Sequence, residues 1–225
     1  MIDALFVGLF DDEVAVEVVD PAGANEPALP EEEALVVRAI DKRVREVRAS
    51  RHAARRALAR LGLPAAEIVH DAERAPVWPA GVVGSISHTR DLCAVAVARR
   101  GRIASVGLDV ERADAMSEAL VQRVCTPREI AALGALGDVA VLAKLVFSAK
   151  EAFYKAQHPL TRHFLGFQDV ELTLDLAAHR FVVHLLVDAG PLPAGHRVSG
   201  VLRTSPTHVV TALTYFASLA GLERG

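Results

Sequence analysis

Three carboxylates and two lysines lie in two short segments, Gly107-Leu-Asp-Val-Glu111 and Phe147-Ser-Ala-Lys-Glu-Ala-Phe-Tyr-Lys155. The first sits in a run of Val, Ile, Ala and Leu that reads as a buried strand, whose period-two geometry puts Asp109 and Glu111 on one face. The second reads as a helix from about Asp138 to His158, ended by Pro159. Its apolar stripe is Leu142, Val146, Ala149, Phe153 and Ala156, and its opposite face carries Lys144, Ser148, Glu151, Lys155 and His158. Packing strand on helix would bring Glu151 to the acid pair, with Lys155 one turn away. Like charges about 5 Å apart repel by roughly 3 kcal/mol at an effective dielectric near 20, so such a cluster requires a cation or a proton. A hard divalent ion held by Asp109, Glu111 and Glu151, with a lysine facing a phosphate, is the simplest arrangement.

The formal charge of −3 hides an asymmetry, because residues 38 to 60 carry nine Arg or Lys against Asp41 and Glu46. That segment is suited to an anionic ligand. Nucleic acid is one candidate, although the segment has no aromatic residue on which bases could stack and the rest of the chain is net acidic, and a small polyphosphate fits equally well.

At 225 residues, 52% of them hydrophobic, the chain can bury one large core or two modest ones. The first residues, with Asp3 and then Asp11, Asp12 and Glu13, do not read as a secretory leader, and no apolar run reaches the length of a membrane span. Cys93 and Cys125 lack CxxC spacing, so neither a disulfide framework nor a zinc site is expected. The expected address is the cytoplasm.

The elements that must position these groups follow from pattern. Strands are expected at Ala4 to Phe10 and Val14 to Val19, then a Pro/Gly/Ala loop to Pro30 and one long helix from Glu31 to Leu61, with Gly62 just past its end. A rigid loop, Asp71 to Gly81, holds Trp78 between Pro76 and Pro79 and leads into Val82-Val-Gly-Ser-Ile-Ser-His88. Leu92 to Ala98 and Ile103 to Val110 read as strands joined tightly. Thr126-Pro-Arg-Glu129 is a capping box opening a short helix, and strand-like runs follow the Asp138 helix at Val170 to Leu174, Arg180 to Val187, Val198 to Arg203 and His208 to Phe216. The expected class is α/β (α+β), in two halves. Each is a small, mostly antiparallel sheet with a helix across it, divided near residues 105 and 106, with a ligand cleft between them.

Taken in order, Gly84-Ser85-Ile86-Ser87-His88, Gly107-Leu108-Asp109-Val110-Glu111 and Phe147-Ser148-Ala149-Lys150-Glu151 through Lys155 resemble the three hallmark segments of the Sfp-type 4′-phosphopantetheinyl transferases. The branch is the one resembling enterobactin synthase component D. Upstream, Arg51-His-Ala-Ala-Arg55-Arg56 and Arg74-Ala-Pro76-Val-Trp78-Pro79 are similar to that branch's arginine helix and proline loop. The resemblance spans roughly residues 38 to 175. It implies a fold of two pseudo-twofold-related halves with coenzyme A between them. It also implies transfer of the phosphopantetheine arm of coenzyme A to a serine of an acyl or peptidyl carrier protein, with release of 3′,5′-ADP.

By the same resemblance, Asp109, Glu111 and Glu151 would hold Mg²⁺ (Mn²⁺ as a substitute) against the pyrophosphate, and Lys155 would contact the same phosphates and act on the leaving group. Glu151, or a metal-held water beside it, would be the base. Ser87 and His88 would meet a phosphate of coenzyme A, Arg51 and Arg55 the 3′-phosphate, and Arg74 with Pro76 the adenine and ribose. Lys150 would add phosphate or partner contacts. The carrier, acidic along its docking helix, would meet residues 112 to 124, where Arg112, Arg123, Met116, Leu120 and Val121 are candidates. No nucleic-acid or membrane partner is implied, and a monomer suffices because one chain supplies both walls of the cleft.

Ser85, Ser87 and His88 could suggest a serine hydrolase. The chain has no G-x-S-x-G elbow, however, and neighbouring strand residues point to opposite faces. His158 and His163 lack zinc spacing and are expected on surfaces, while Cys93 and Cys125 read as packing residues. Two other classes stay open on the residues alone: another Mg²⁺-dependent nucleotide enzyme without a carrier, and a non-enzymatic binder of coenzyme A or RNA built on the basic helix.

Overall fold

The computed structural model of the chain describes residues 2–24 and 26–217. Two antiparallel sheets form its centre. The first holds β1 (Val14–Val19), β2 (Val82–His88) and β3 (Cys93–Arg99) in the order β1-β3-β2. The second holds β4 (Ile103–Arg112), β5 (Val170–Asp175), β6 (Arg180–Leu185), β7 (Arg197–Thr204) and β8 (His208–Phe216) in the order β4-β8-β7-β6-β5. The chain passes from one sheet to the other between Arg99 and Ile103. Five helices complete the described fold: α1 (Pro30–Ala34), α2 (Asp41–Arg60), α3 (Glu118–Val124), α4 (Pro127–Leu136) and α5 (Val139–Thr161).

Alternation along the strands builds the layers. Val106, Leu108 and Val110 of β4 and Val210 and Ala212 of β8 turn towards Val83, Ala94, Ala96 and Ala98 of the first sheet, making an apolar seam between the sheets. On the outer face of the first sheet, the small residues Ala49, Ala53, Ala54 and Ala57 of α2 lie close against Cys93, Val95 and Val97. On the other side, Ala149, Phe153 and Ala156 of α5 pack on Leu213 and Tyr215 of β8 with Phe181, Val183 and Leu202. Each sheet therefore carries one long helix, as expected, although three strands face five.

Past the register shift between Ile103 and Ser105, the odd-numbered residues of β4 face α5, and Gly107 makes the approach possible. A Cβ there would collide with the carbonyl oxygen of Ala152 and come within 3.0 Å of Ala156 Cβ. The glycine of the Gly-Leu-Asp-Val-Glu segment thus lets the helix settle directly on the strand that carries Asp109.

Four local expectations are corrected. Ala4 to Phe10 is not a strand: Ile2–Phe6 forms a 3₁₀ turn, and Leu5 and Leu9, four residues apart, enter the seam between the sheets. The basic helix does not begin at Glu31. Arg55 pairs with the buried Glu32 at 2.6 Å and Arg48 grips Glu33 with two bonds of 2.8 Å, folding α1 back as a separate turn, and Ile40 is extended at the entrance to α2. The Arg48 pair holds the Glu33 carboxyl down at about 2. Pro159 does not end α5, which runs on to Thr161. Its last turn closes through the amide of Arg162, in the left-handed region, donating to His158 O at 2.9 Å and through Thr161 Oγ1 donating to Gln157 at 2.6 Å. His158, expected on the surface, is buried and stacks on Tyr154. The Thr126–Glu129 capping box forms as read from the sequence.

Candidate active site

The two serines of the Gly-Ser-Ile-Ser-His segment join the sheets. On β2, Ser85 and Ser87 point inward. Ser85 Oγ donates to Leu108 O at 3.3 Å and accepts from Leu108 N at 3.0 Å, while Ser87 Oγ accepts from Val110 N at 3.1 Å and donates to Asp109 Oδ1 at 2.9 Å. The Ser87 hydroxyl thus orients Asp109 and holds the β4 backbone.

Asp109 is almost fully buried. Its Oδ1 also accepts from Lys155 Nζ at 2.6 Å, and Lys155 reaches Leu108 O at 3.3 Å. Its Oδ2 is buried with no hydrogen-bond partner. Glu111, two residues on, is 3.4 Å from Lys144 Nζ. Burial raises the Glu111 carboxyl, helped by the charge of Asp109 and opposed by Lys144. Burial also raises Glu151, partly offset by Lys155 and reinforced by Asp109. Both carboxyls thus feel Asp109 as a neighbouring negative charge.

A hard cation fits this donor set on an observation of the site itself: a buried carboxylate oxygen lacks any partner, while burial and the Asp109 charge push two neighbouring carboxyls up. Among the described residues, no three His, Cys, Asp or Glu side chains are gathered tightly enough to hold a metal alone. An ion of the Mg²⁺ kind takes one or two carboxylates and completes its shell with water and substrate phosphate.

Beyond β2, arginines of α2 meet two histidines. His88 faces the opposite way from Ser87, towards α2, where Arg43 Nη1 is 3.1 Å from its Nε2 and Glu46 Oε2 is 3.7 Å from its Nδ1. Further along α2 is Arg51, 2% exposed, with Nη1 on Ser50 Oγ at 3.0 Å, Nη2 on His70 Nε2 at 2.8 Å, and Nε unpartnered. A guanidinium buried without a carboxylate at hydrogen-bond distance is costly and favours an incoming anion. Burial holds His70 and His88 below the usual histidine range, and both feel Arg43: for His70 the Arg51 and Arg74 charges act in the same direction, while for His88 Glu46 opposes. Since a guanidinium only donates, both histidines accept at Nε2 and are neutral here.

Sequence pattern does not single out Arg43 or His70. Arg43 is one of nine basic residues with no special spacing, and His70 reaches the site only because the bridge from His70 to Pro76 folds the proline loop over α2. Arg55, by contrast, pairs with Glu32, whose second oxygen accepts from Ile68 N at 2.9 Å, an arrangement that anchors α1 on α2. Lys150 points towards Glu129 of α4. Its three donors go to Val124 O, Glu129 Oε2 and Phe167 O at 2.9, 2.8 and 2.7 Å.

A pocket of about 650 Å³ runs from the proline loop to α5, lined by Arg74, Pro76 and Trp78 on one side and Glu151, Tyr154 and Lys155 on the other. Trp78 lies on Gly84, where a Cβ would come within 2.6 Å of the indole. Arg162 at the end of α5 bridges to Asp71 and Glu73 of the loop, tying the two walls together. In the 112 to 124 segment, Met116 and Val121 are core residues and Arg112 is paired with Asp91 at 2.7 Å, which leaves Leu120 and Arg123 facing outward.

Arginines bonded to histidines beside α2, and a pocket that reaches Glu151 and Lys155, make a site suited to a molecule that carries phosphates. Comparisons with known proteins agree. The family model of the 4′-phosphopantetheinyl transferase N-terminal domain matches residues 31–98, and that of the 4′-phosphopantetheinyl transferase superfamily matches residues 105–205. The chain is 41% identical over 174 residues to the 4′-phosphopantetheinyl transferase Svp of Streptomyces mobaraensis, covering 76% of this chain and 70% of that one. It is 36% identical over 190 residues to PptT of Mycobacterium tuberculosis, covering 82% and 83%. With enterobactin synthase component D of Escherichia coli it shares 37% over 102 residues, 44% of this chain and 47% of that one. The chain belongs to the 4′-phosphopantetheinyl transferase superfamily. It is a transferase that takes the phosphopantetheine arm from coenzyme A to a carrier protein. No described helix is long and apolar enough to cross a membrane.

Proposed function

We propose that coenzyme A lies with its phosphates along Arg43, Arg51, His70 and His88 and its adenine end beside Arg74, Pro76 and Trp78, the reacting phosphate reaching Lys155. The observation that supports this placement is that Arg43 and Arg51 of α2 each bond a neutral histidine, His88 and His70, and that His88 feels the charge of Lys155, the partner of Asp109. Asp109, Glu111 and Glu151 would hold a divalent cation, which when bound shields the pyrophosphate and the departing 3′,5′-ADP.

The chain's own residues carry the rest of the chemistry. Ser87 and Lys155 fix one oxygen of Asp109 and leave the other turned free. Glu151, made more basic than an exposed glutamate by its burial, accepts the proton of the carrier serine as its oxygen attacks phosphorus. The bond from that phosphorus to the bridging oxygen breaks, and Lys155 stabilises the departing phosphate. The carrier serine keeps the phosphopantetheine arm. One chain supplies every group named, so a monomer is sufficient.

Arg43→Ala tests the placement of the phosphates. It is expected to weaken coenzyme A binding by about tenfold, in line with the roughly 1.5–3 kcal/mol of a hydrogen bond to a charged group. Calorimetric titration checks this, and unchanged affinity would remove Arg43 from the site. Arg55→Ala is expected to lower the melting temperature by leaving the buried Glu32 unpaired, with coenzyme A affinity unchanged in protein that remains folded.

A further inference from the structure

His88 lies between two groups of opposite sign. On one side, Arg43 Nη1 sits 3.1 Å from Nε2. A guanidinium has no acceptor, so Nε2 presents its lone pair and the ring proton is on Nδ1. On the Nδ1 side stands the carboxylate of Glu46, with Oε2 at 3.7 Å from Nδ1 and 3.5 Å from Arg43 Nη1. Glu46 is 8% exposed, and Lys42 is 3.7 Å from its other oxygen.

A phosphate arriving at Nε2 changes the requirement. Phosphate oxygens accept hydrogen bonds, so the imidazole must offer an N–H there. Moving the ring proton from Nδ1 to Nε2 would turn the Nδ1 lone pair on the Glu46 carboxylate, two acceptors face to face. Adding a proton from solvent at Nε2 keeps Nδ1–H towards Glu46 and places a cation between two anions. We propose that Glu46 is a positioning residue that makes coenzyme A binding take up a proton at His88, because with a carboxylate at Nδ1 the ring can face a phosphate only as imidazolium. The inference rests on His88 meeting a coenzyme A phosphate, as proposed above.

The groups facing His88 agree with this. Lys42 and Arg43 on α2 and Lys155 on α5 oppose its charge in the ligand-free protein, Glu46 favours it, and burial weighs against it most. Cys93, opposite His88 across the strand pair, is neutral, its thiol pushed up to about 12 by burial. An incoming phosphate draws the cations to itself and supplies the second anion, so the balance reverses on binding. The sign follows directly: the bound state holds more protons, so affinity falls as pH rises, approaching tenfold per pH unit for one full proton.

The test is calorimetric titration of the intact protein with coenzyme A, without metal, at pH 7.5 in buffers of different ionisation enthalpy. Wild type is expected to take up roughly 0.5–1 proton more per coenzyme A than Glu46→Gln. In that variant the introduced side-chain amide can donate to Nδ1, which allows the neutral ring to face phosphate with its N–H. Glu46→Asp is expected to restore the uptake. His88→Gln, which offers an amide N–H with nothing to titrate, is expected to match Glu46→Gln and supplies the same comparison should that variant not fold. Equal uptake by wild type and the variants, all binding coenzyme A, would overturn the role of Glu46 while leaving the functional reading intact. Absence of coenzyme A binding by the wild type would overturn both.

Discussion

Glu151→Gln is expected to lower the rate of phosphopantetheine transfer by about 10³-fold and, at neutral pH without ligands, to raise the melting temperature by about 2–4 °C. The first effect follows from removing a general base, whose loss costs roughly 10²–10⁴-fold. The second follows from the cluster that makes the base effective. Burial raises the Glu151 carboxyl, with the charge of Asp109 adding to the effect and Lys155 opposing it. A carboxyl raised in the folded state binds more protons there than in the unfolded chain, so its contribution to stability is present at low pH and is lost as pH rises through the folded value. At neutral pH the charged form is a liability, and an amide of the same shape relieves it. About 1 kcal/mol corresponds to about 2–4 °C in a domain of this size. Thermal melts with and without metal, beside steady-state kinetics, read both effects. A slower enzyme that is also less stable would mean that Glu151 supports the fold, and near wild-type turnover would remove it from the chemistry.

Lys150→Met is expected to act in the opposite way, costing about 3–5 kcal/mol of stability. Lys150 and Glu129 are both about 1% exposed in their side chains and meet at 2.8 Å. Glu129 simultaneously accepts from Thr126 N at 2.6 Å, closing the cap of α4, and from Leu172 N at 2.6 Å, fixing β5. Losing the ammonium leaves that carboxylate buried and uncompensated and leaves Val124 O and Phe167 O without a donor, which is the expensive way to break a buried pair. Denaturant unfolding gives the stability change. Protein that stays folded at low temperature should bind coenzyme A as the wild type does. A loss of affinity without a loss of stability would place Lys150 at the ligand.

Much of the site is legible from local periodicity. The alternation of β4 puts Asp109 towards α5, and that of β2 sends Ser87 and His88 to opposite faces, one to Asp109 and one to α2. The capping box at Thr126 and the helix carrying Glu151 and Lys155 are set by neighbours in sequence. What local pattern does not contain is the direction of a long side chain. Lys150 and Glu151 are adjacent on α5, and only the position of α4 and Glu129 decides that Lys150 is taken up inside. Arg51 and Arg55 are one turn apart, yet α1 folds back to claim Arg55, while Arg51 turns to His70. The same fold-back interrupts the helix expected from Glu31. His70 has no signal in the chain at all, since its place depends on a loop closing over a helix some twenty residues earlier. Local pattern does not contain the bonds of the Ser87 hydroxyl either, which serves Asp109 and the β4 backbone.

The central claim, transfer of the phosphopantetheine arm at the Asp109–Lys155–Glu151 cluster, is tested most directly by intact mass measurement. An apo carrier protein is incubated with coenzyme A and Mg²⁺ and either the wild type or Glu151→Gln, with a chelator control. The expected result is a gain of one phosphopantetheine arm on the carrier, abolished by the chelator and nearly absent with the variant over the same interval. No gain on any of several apo carriers although coenzyme A binds, or an equal gain with Glu151→Gln, would contradict it.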